Sequence, residues 1–182
     1  MSTEPWGPAG APCNEPGHTN PYAKTITFLV RSVYTATVST CPDLLLVEDQ
    51  ASDAELALHA LHALGLDRSV ALVRDGAEAI DYLFARGAYA DRDAGDQPRL
   101  VLLDLKLPKI DGLQVLRAMR NDERTHDIPV VVLTSSKETC DVERCYALGA
   151  NSYVVKPVDF DQFTEAIQQI GRYWLSTNET KR

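Results

Sequence analysis

Short apolar runs recur along residues 43–155, and longer segments of mixed polarity separate them. The runs are DLLLVED (43–49), SVALVRD (69–75), LVLLD (100–104), IPVVVLT (128–134) and SYVV (152–155). Runs that are this short and this uniformly apolar are typical of strands buried on both faces of a parallel sheet. The pattern therefore predicts five strands.

The segments between the runs repeat apolar residues at three- and four-residue intervals, which indicates amphipathic helices. SDAELALHALHALG follows the first run, and its final Gly65 is placed to cap a helix end. In FDQFTEAIQQIGRYW (160–174), Asp159 is a candidate N-cap. The predicted inner stripe of this helix consists of Phe160, Phe163, Ile167, Ile170 and Trp174. Strands alternating with helices specify an α/β fold with right-handed crossovers on both faces of a parallel sheet.

Charged and hydroxyl side chains follow four of the predicted strands. They are Glu48 and Asp49 after the first strand, Asp104 after the third, Thr134 and Ser135 at the end of the fourth, and Lys156 after the fifth. The carboxyl ends of parallel strands gather at one edge of the sheet, where ligands bind at the switch point. We therefore expect these side chains to converge.

Three carboxylates at one edge repel one another unless a cation lies among them, and oxygen ligands suit Mg²⁺. Lys156 can serve as a point charge for a phosphoryl oxygen, and the Thr134 hydroxyl can donate a hydrogen bond to another. A carboxylate can also attack a phosphoryl group and hold it as an acyl phosphate. The chemistry of the predicted edge is thus that of Mg²⁺-assisted phosphoryl transfer.

The motifs VED, LLDLKLPKIDG, VVVLTSS and YVVKPVD occur in this order. Together they resemble the receiver domain of bacterial two-component response regulators, over about residues 42–175. The resemblance implies a flavodoxin-like (βα)5 three-layer sandwich with strand order 2-1-3-4-5. It also implies a signalling domain rather than an enzyme, in which Asp104 accepts a phosphoryl group from a histidine kinase.

The resemblance further implies roles for the other edge residues. Mg²⁺ would be bound by Asp49 and Asp104, by Glu48 through water, and by the backbone carbonyl of Lys106. Phosphate would be bound by Thr134, Ser135 and Lys156, although Ser135 is equally explained as a small residue that leaves room. Thr134 and Tyr153 would form a switch pair that alters the fourth helix, fifth strand and fifth helix, unless Tyr153 serves only in packing.

A narrower resemblance is carried by RGAYADRDAGDQPRLVLLDLKLP, KPVDFDQF and IGRYWL. These segments are similar to single-domain response regulators that pair with bacterial and cyanobacterial phytochromes. The likeness implies a bacteriophytochrome kinase as partner and a homodimer through strand five and helix five. The chain departs from that group because polar STNETKR follows YWL in place of an apolar tail. With no output domain expected after Trp174, output is expected through protein contacts, dimer rearrangement or onward phosphoryl transfer.

Residues 1–41 differ in composition from the rest. Proline and glycine are frequent in residues 1–24, which predicts a disordered tail. TITFLVRSVYTATVST (25–40) is compatible with an extra edge strand, a loosely attached segment, or residues included by a wrongly assigned translation start. Residues 176–182 are predicted to be a polar tail.

The net charge of −8 argues against a nucleic-acid surface. No apolar run approaches the roughly 20 residues that span a bilayer, and MSTEPWGPAG lacks the pattern of a signal peptide. The expected protein is cytoplasmic and binds no membrane. Its cysteines are expected to stay reduced, because Cys140 and Cys145 fall within one predicted helix.

Simpler interpretations stay open. Asp104 alone could be a helix N-cap or a loop carboxylate. His59 and His62 share a helix face with Glu55, an arrangement compatible with a metal or phosphohistidine site. A solvated face is favoured, because the pair lacks further ligands. Lys106 is hypothesised to screen an acyl phosphate from water, and Lys109 is interpreted as a surface residue. The whole domain could be a phosphorylation-independent interaction module, whereas a nucleotide binder is disfavoured because no glycine-rich phosphate loop follows any strand.

Overall fold

The computed structural model describes residues 42–66 and 70–179, so the predictions for residues 1–41 lie outside the described part. The strands are β1 Leu44–Val47, β2 Val70–Val73, β3 Leu100–Leu103, β4 Val130–Thr134 and β5 Ser152–Val155. All paired strands are parallel, and the sheet has the order β2-β1-β3-β4-β5. The predicted fold class and strand order are confirmed.

The helices cover both faces of this sheet. They are α1 Ala51–His62, α2 Gly76–Leu83, α3 Gly112–Arg120, α4 Thr139–Ala147 and α5 Phe160–Gly171, with a short 3₁₀ helix at Gly87–Tyr89 and a π-helical turn at Arg172–Thr177. The π-helical turn carries the helical chain two residues past 175, where the sequence predicted the domain to end. None of the helices within the described residues is long and apolar enough to cross a bilayer.

Alternate residues of each strand belong to two separate hydrophobic cores, one on each face of the sheet. Leu45 and Val47 belong to the core under α2, α3 and α4, whereas Leu44 and Leu46 belong to the core under α1 and α5. All residues of β1, β3 and β4 are buried, which explains why these strands read as continuous apolar runs rather than alternating ones. The result is the predicted three-layer sandwich.

The helix ends match the sequence signals, with one exception. Gly65 has a φ of 72°, in the left-handed region that suits glycine after a helix. The Asp159 side chain accepts a hydrogen bond from the Gln162 backbone N–H at 3.0 Å, as expected for the N-cap of α5. Placing Phe160 on the inner stripe was wrong, because its position as the first residue of α5 precedes the part of the helix that meets the sheet. Phe160 is 52% exposed, and Phe163 is the first buried residue of the helix.

Candidate functional site

The parallel ladder continues one residue past three of the strands and thereby holds three site residues in place. The backbone N–H of Asp104 donates to the Val47 carbonyl at 3.1 Å, and that of Lys156 donates to the Thr134 carbonyl at 2.8 Å. The N–H of Glu48 extends the ladder toward β2 in the same way. These three side chains therefore start from rigid positions at the carboxyl edge of the sheet.

Lys156 is the centre of this edge. Its Nζ lies 2.6 Å from Asp104 Oδ2, 2.6 Å from Glu48 Oε2 and 3.0 Å from Asp53 Oδ2. The side chains of Lys156, Glu48 and Asp104 are 7%, 2% and 6% exposed. Since an ammonium has three N–H donors, each donor meets one carboxylate. The structure thus brings together residues that lie more than a hundred positions apart in the chain.

Asp53 is a member of this cluster that sequence reasoning missed. It is the third residue of α1, the helix that follows Glu48 and Asp49, and its side chain is 32% exposed. The first turn of this helix lies at the same edge of the sheet as the end of β1. That position in the first turn is the signal that could have identified it, although acidic residues are common there for reasons of helix stability alone.

The charges of this cluster are coupled through burial. Burial raises the pKa of Glu48 to about 7, although the hydrogen bond and charge of Lys156 act in the opposite direction. Burial lowers the pKa of Lys156, but its hydrogen bonds to Asp104 and Glu48 outweigh that effect, and the net pKa is raised. The ammonium therefore stays charged, and Glu48 takes up a proton at a higher pH than an exposed glutamate does.

The acidic residues form a donor set that suits a hard cation. Carboxylate oxygens of Glu48, Asp49 and Asp104 all lie within 4.8 Å of one another. The second oxygen of Asp104, Oδ1, accepts the backbone N–H of Lys106 at 3.1 Å. An all-oxygen donor set is what Mg²⁺ prefers in proteins, so the residues present fit the predicted ion.

The predicted switch residues are linked through a third residue. Thr134 is fully buried at the end of β4, and its Oγ1 accepts the backbone N–H of Ser136 at 3.4 Å. The Tyr153 hydroxyl donates to the Ser136 carbonyl at 3.1 Å. Ser135 is exposed, whereas Ser136 is buried and its hydroxyl donates to Asp141 Oδ2 at 2.6 Å. Sequence reasoning did not single out Ser136, since the two serines are indistinguishable in the motif TSS.

Asp104 is not a helix cap, which removes the simplest alternative for this residue. The N-cap of α3 is Asp111, which accepts the Gln114 backbone N–H at 2.8 Å in a capping box. Gly112 permits the close approach of this helix, because a Cβ there would stand 2.2 Å from the Asp104 carbonyl oxygen. The segment DG thus turns the chain tightly back over the Asp104 backbone.

Lys109 is exposed, as predicted for a surface residue, but it has a partner. Its Nζ lies 2.6 Å from Oδ2 of Asp75, the N-cap of α2, and its backbone φ is 65°. This ion pair ties the loop after β3 to the beginning of α2.

Comparison with known proteins shows the family to which the chain belongs. The family model of the response regulator receiver domain matches residues 44–168. The response regulator Rcp1 of Synechocystis sp. is 37% identical over 134 residues, which are 74% of this chain and 89% of that protein.

Three solved structures resemble the fold closely. The Mn(2+)-bound form of Rcp1 has a TM-score of 0.71 at 34% identity and covers 78% of this chain and 100% of its own. The phosphorylated cyanobacterial phytochrome response regulator RcpA has a TM-score of 0.72 at 38% identity, with 76% and 97% covered. The bacteriophytochrome response regulator AtBRR has 51% identity and a TM-score of 0.60, with 77% and 99% covered. The chain belongs to the response regulator receiver domain family and is related to the response regulators of phytochromes.

Proposed function

We propose that this receiver domain accepts a phosphoryl group on Asp104 from the phosphohistidine of a histidine kinase, in a Mg²⁺-dependent reaction. The observation that supports it best is the 2.6 Å contact between Asp104 Oδ2 and Lys156 Nζ, at a buried edge where an acidic donor set also converges. A carboxylate with a fixed cation beside it is equipped to hold an acyl phosphate.

In the transfer, a carboxylate oxygen of Asp104 forms a bond to phosphorus while the phosphorus–nitrogen bond of the donor breaks, and the imidazole nitrogen keeps the electron pair. The Lys156 N–H that now meets Asp104 is placed to donate to an oxygen of the incoming phosphoryl group. Mg²⁺, held by Asp49 and Asp104, by Glu48 through water and by the Lys106 carbonyl, would supply further neutralisation of charge. Positioning and neutralisation are what phosphoryl transfer mainly requires.

The new phosphoryl group would be read out through Thr134. Its buried hydroxyl can donate to a phosphoryl oxygen, and any movement of Thr134 displaces the Ser136 backbone with which it is hydrogen-bonded. Tyr153 responds because its hydroxyl is bonded to the same Ser136 backbone. The signal would thus reach α4, β5 and α5 as a shift between two states that differ in their affinity for a partner.

The partners proposed are a kinase and a second copy of the chain. The phytochrome response regulators among the relatives make a bacteriophytochrome kinase the first donor to test. Within the described residues, large apolar side chains are exposed on α4, between β5 and α5, on α5 and just after it, which suits a homodimer through β5 and α5. They are Tyr146, Val158, Phe160 and Tyr173. Light scattering before and after phosphorylation would show whether the mass doubles.

The test of the central proposal is incubation with acetyl phosphate and Mg²⁺, followed by intact-mass spectrometry under acid conditions. We expect one added phosphoryl group, which is absent from Asp104→Asn and from samples containing EDTA. Asp111→Asn is a matched control, because Asp111 caps α3 outside the site. A wild-type protein that stays unlabelled with acetyl phosphate and with phosphorylated kinase would favour the phosphorylation-independent interaction module instead.

A further inference from the structure

Asp53 is the least expected member of the cluster around Lys156. Its Oδ2 accepts a hydrogen bond from Lys156 Nζ at 3.0 Å, while Oδ1 accepts one from the Ser52 hydroxyl at 3.3 Å. With 32% of its side chain exposed, Asp53 lies at the rim of the cluster, above the buried Glu48 and Asp104. It therefore approaches the ammonium from the solvent side.

The three carboxylates that hold Lys156 differ in what else they must do. Glu48 and Asp104 belong, with Asp49, to the group whose oxygens can hold a cation, and among the described residues Asp53 lies outside that group. Asp104 is also the proposed site of bond formation, where its Oδ2 gives up the Lys156 N–H to a phosphoryl oxygen. Asp53 is the carboxylate of the three that has neither task.

We infer that Asp53 is a positioning residue, which keeps the Lys156 ammonium directed at the acceptor oxygen when Glu48 and Asp104 are engaged elsewhere. The inference rests on the proposed function. A lysine head group ends a flexible stem of four methylene groups, so an ammonium that loses its anchors regains rotamer freedom. Asp53 would prevent this, because it takes no part in the reaction and can keep its bond to the ammonium, so the N–H that meets Asp104 stays directed at the reacting group.

A merely structural role for Asp53 makes a different prediction. As an acidic residue in the first turn of α1, it also interacts favourably with the helix dipole. Loss of that interaction would destabilise α1 slightly without changing the order of the Lys156 side chain. Glu55, an exposed acidic residue one half-turn further along the same helix, provides the matched control. Glu55→Gln removes the same charge from the same helix.

The first measurement is the rate of phosphorylation by small donors in saturating Mg²⁺. For Asp53→Asn we expect a decrease of about tenfold, the size of one charge-assisted hydrogen bond, with Glu55→Gln close to wild type. The decrease should be the same for acetyl phosphate, which is doubly charged near neutral pH, and for singly charged phosphoramidate. An increase in rate, larger for acetyl phosphate, would mean that Asp53 acts only by repelling the donor and would overturn the inference.

The second measurement does not depend on phosphorylation. In nitrogen-15 spectra of the Mg²⁺-bound protein, the NH₃⁺ signal of Lys156, assigned through Lys156→Met, should be resolved in the wild type and broadened by water exchange in Asp53→Asn. If Asp53→Asn matches Glu55→Gln in both rate and Lys156 signal, the inference is wrong while the proposed function stands. A wild-type protein without labelling would instead overturn the proposed function, and the inference with it.

Discussion

Two lysines near the carboxyl edge of the sheet form ion pairs of the same length in opposite surroundings. Lys156 Nζ is 2.6 Å from its two nearest carboxylates and its side chain is 7% exposed. Lys109 Nζ is also 2.6 Å from Asp75, but its side chain is 67% exposed. Distance alone would rank these contacts as equals.

The two ion pairs differ in how far their lysines are buried. Around Lys156 the surrounding protein replaces water, so each charge depends on its partners and the removal of one partner is costly. Around Lys109 water solvates the ammonium whether or not Asp75 is present, so removal of this ammonium is expected to cost little, although the Asp75 side chain itself is only 12% exposed. The same contact length therefore marks a site for chemistry in one place and a local tie between a loop and a helix in the other.

The largest difference in stability between the two ion pairs is expected when the ammonium group of each is removed. In EDTA at about pH 8.5, Lys156→Met should lower the free energy of unfolding by about 3 kcal/mol, because Glu48 and Asp104 remain buried without their counter-ion. Lys109→Met, which makes the same chemical change, should unfold at nearly the wild-type urea concentration. Urea unfolding followed by circular dichroism measures both.

Mg²⁺ sharpens this comparison. Added Mg²⁺ should restore part of the stability of Lys156→Met, since the ion replaces the missing positive charge, and should stabilise Lys109→Met only as much as it stabilises the wild-type protein. Equal losses of stability in the two variants would show that burial does not separate the two pairs.

A smaller contrast lies in the pH dependence of stability without metal. The pKa of Glu48 is raised from 4.5 to about 7, so folding favours the protonated form, and the stabilisation present at low pH is lost as the pH rises through 7. Between about pH 5.5 and pH 8.5 this linkage amounts to about 2 kcal/mol of unfolding free energy. Urea unfolding across that range in EDTA measures it.

Glu48→Gln is the control for that measurement, because an amide does not titrate and the fall in stability should disappear. Mg²⁺ should also reduce the fall in the wild-type protein, since the ion favours the ionised carboxylate. A wild-type stability that stays level or rises with pH in EDTA would contradict the assigned protonation of Glu48.

The sequence predicts the buried cluster better than its rim. Strand-end residues such as Asp104 and Lys156 could be placed from the order of the motifs, because parallel strands bring their carboxyl ends to one edge. Asp53 could not, since its contact depends on how the first turn of α1 sits above Lys156. Ser136 was missed for a related reason: TSS does not say which serine turns inward, and the fold buries the second.

The error at Phe160 has the same origin. Helical periodicity places Phe160 with Phe163 on one stripe, but periodicity says nothing about where along its length a helix first contacts the sheet. The pair of Lys109 and Asp75 was likewise out of reach, because the two residues are 34 positions apart and each is charged in an ordinary loop or cap setting. Sequence patterns therefore do not predict the contacts that side chains make with residues of other elements and loops.

The smallest effect concerns Asp75, and it has the opposite sign with pH. Asp75 Oδ1 accepts the Glu78 backbone N–H at 2.8 Å as the N-cap of α2, and the hydrogen bond from Lys109 lowers its pKa. A lowered pKa means that the stabilisation is present above the ordinary value of 3.8 and is lost as the pH falls through the folded value. Asp75→Ala should cost about 1 kcal/mol at neutral pH through the lost cap, and Asp75→Asn less, because asparagine also caps.

The rate of phosphorylation of Asp104 then decides whether the pair of Lys109 and Asp75 is only a local link between a loop and a helix. Asp75→Asn and Lys109→Met should both be labelled by acetyl phosphate at the wild-type rate, because neither residue touches Asp104 or Lys156. Labelling slowed equally in both variants would mean that the loop between β3 and α3 needs this tie to hold the acceptor in place. The pair of Lys109 and Asp75 would then act on the chemistry although its ammonium is solvated, and burial would no longer separate the roles of the two lysines.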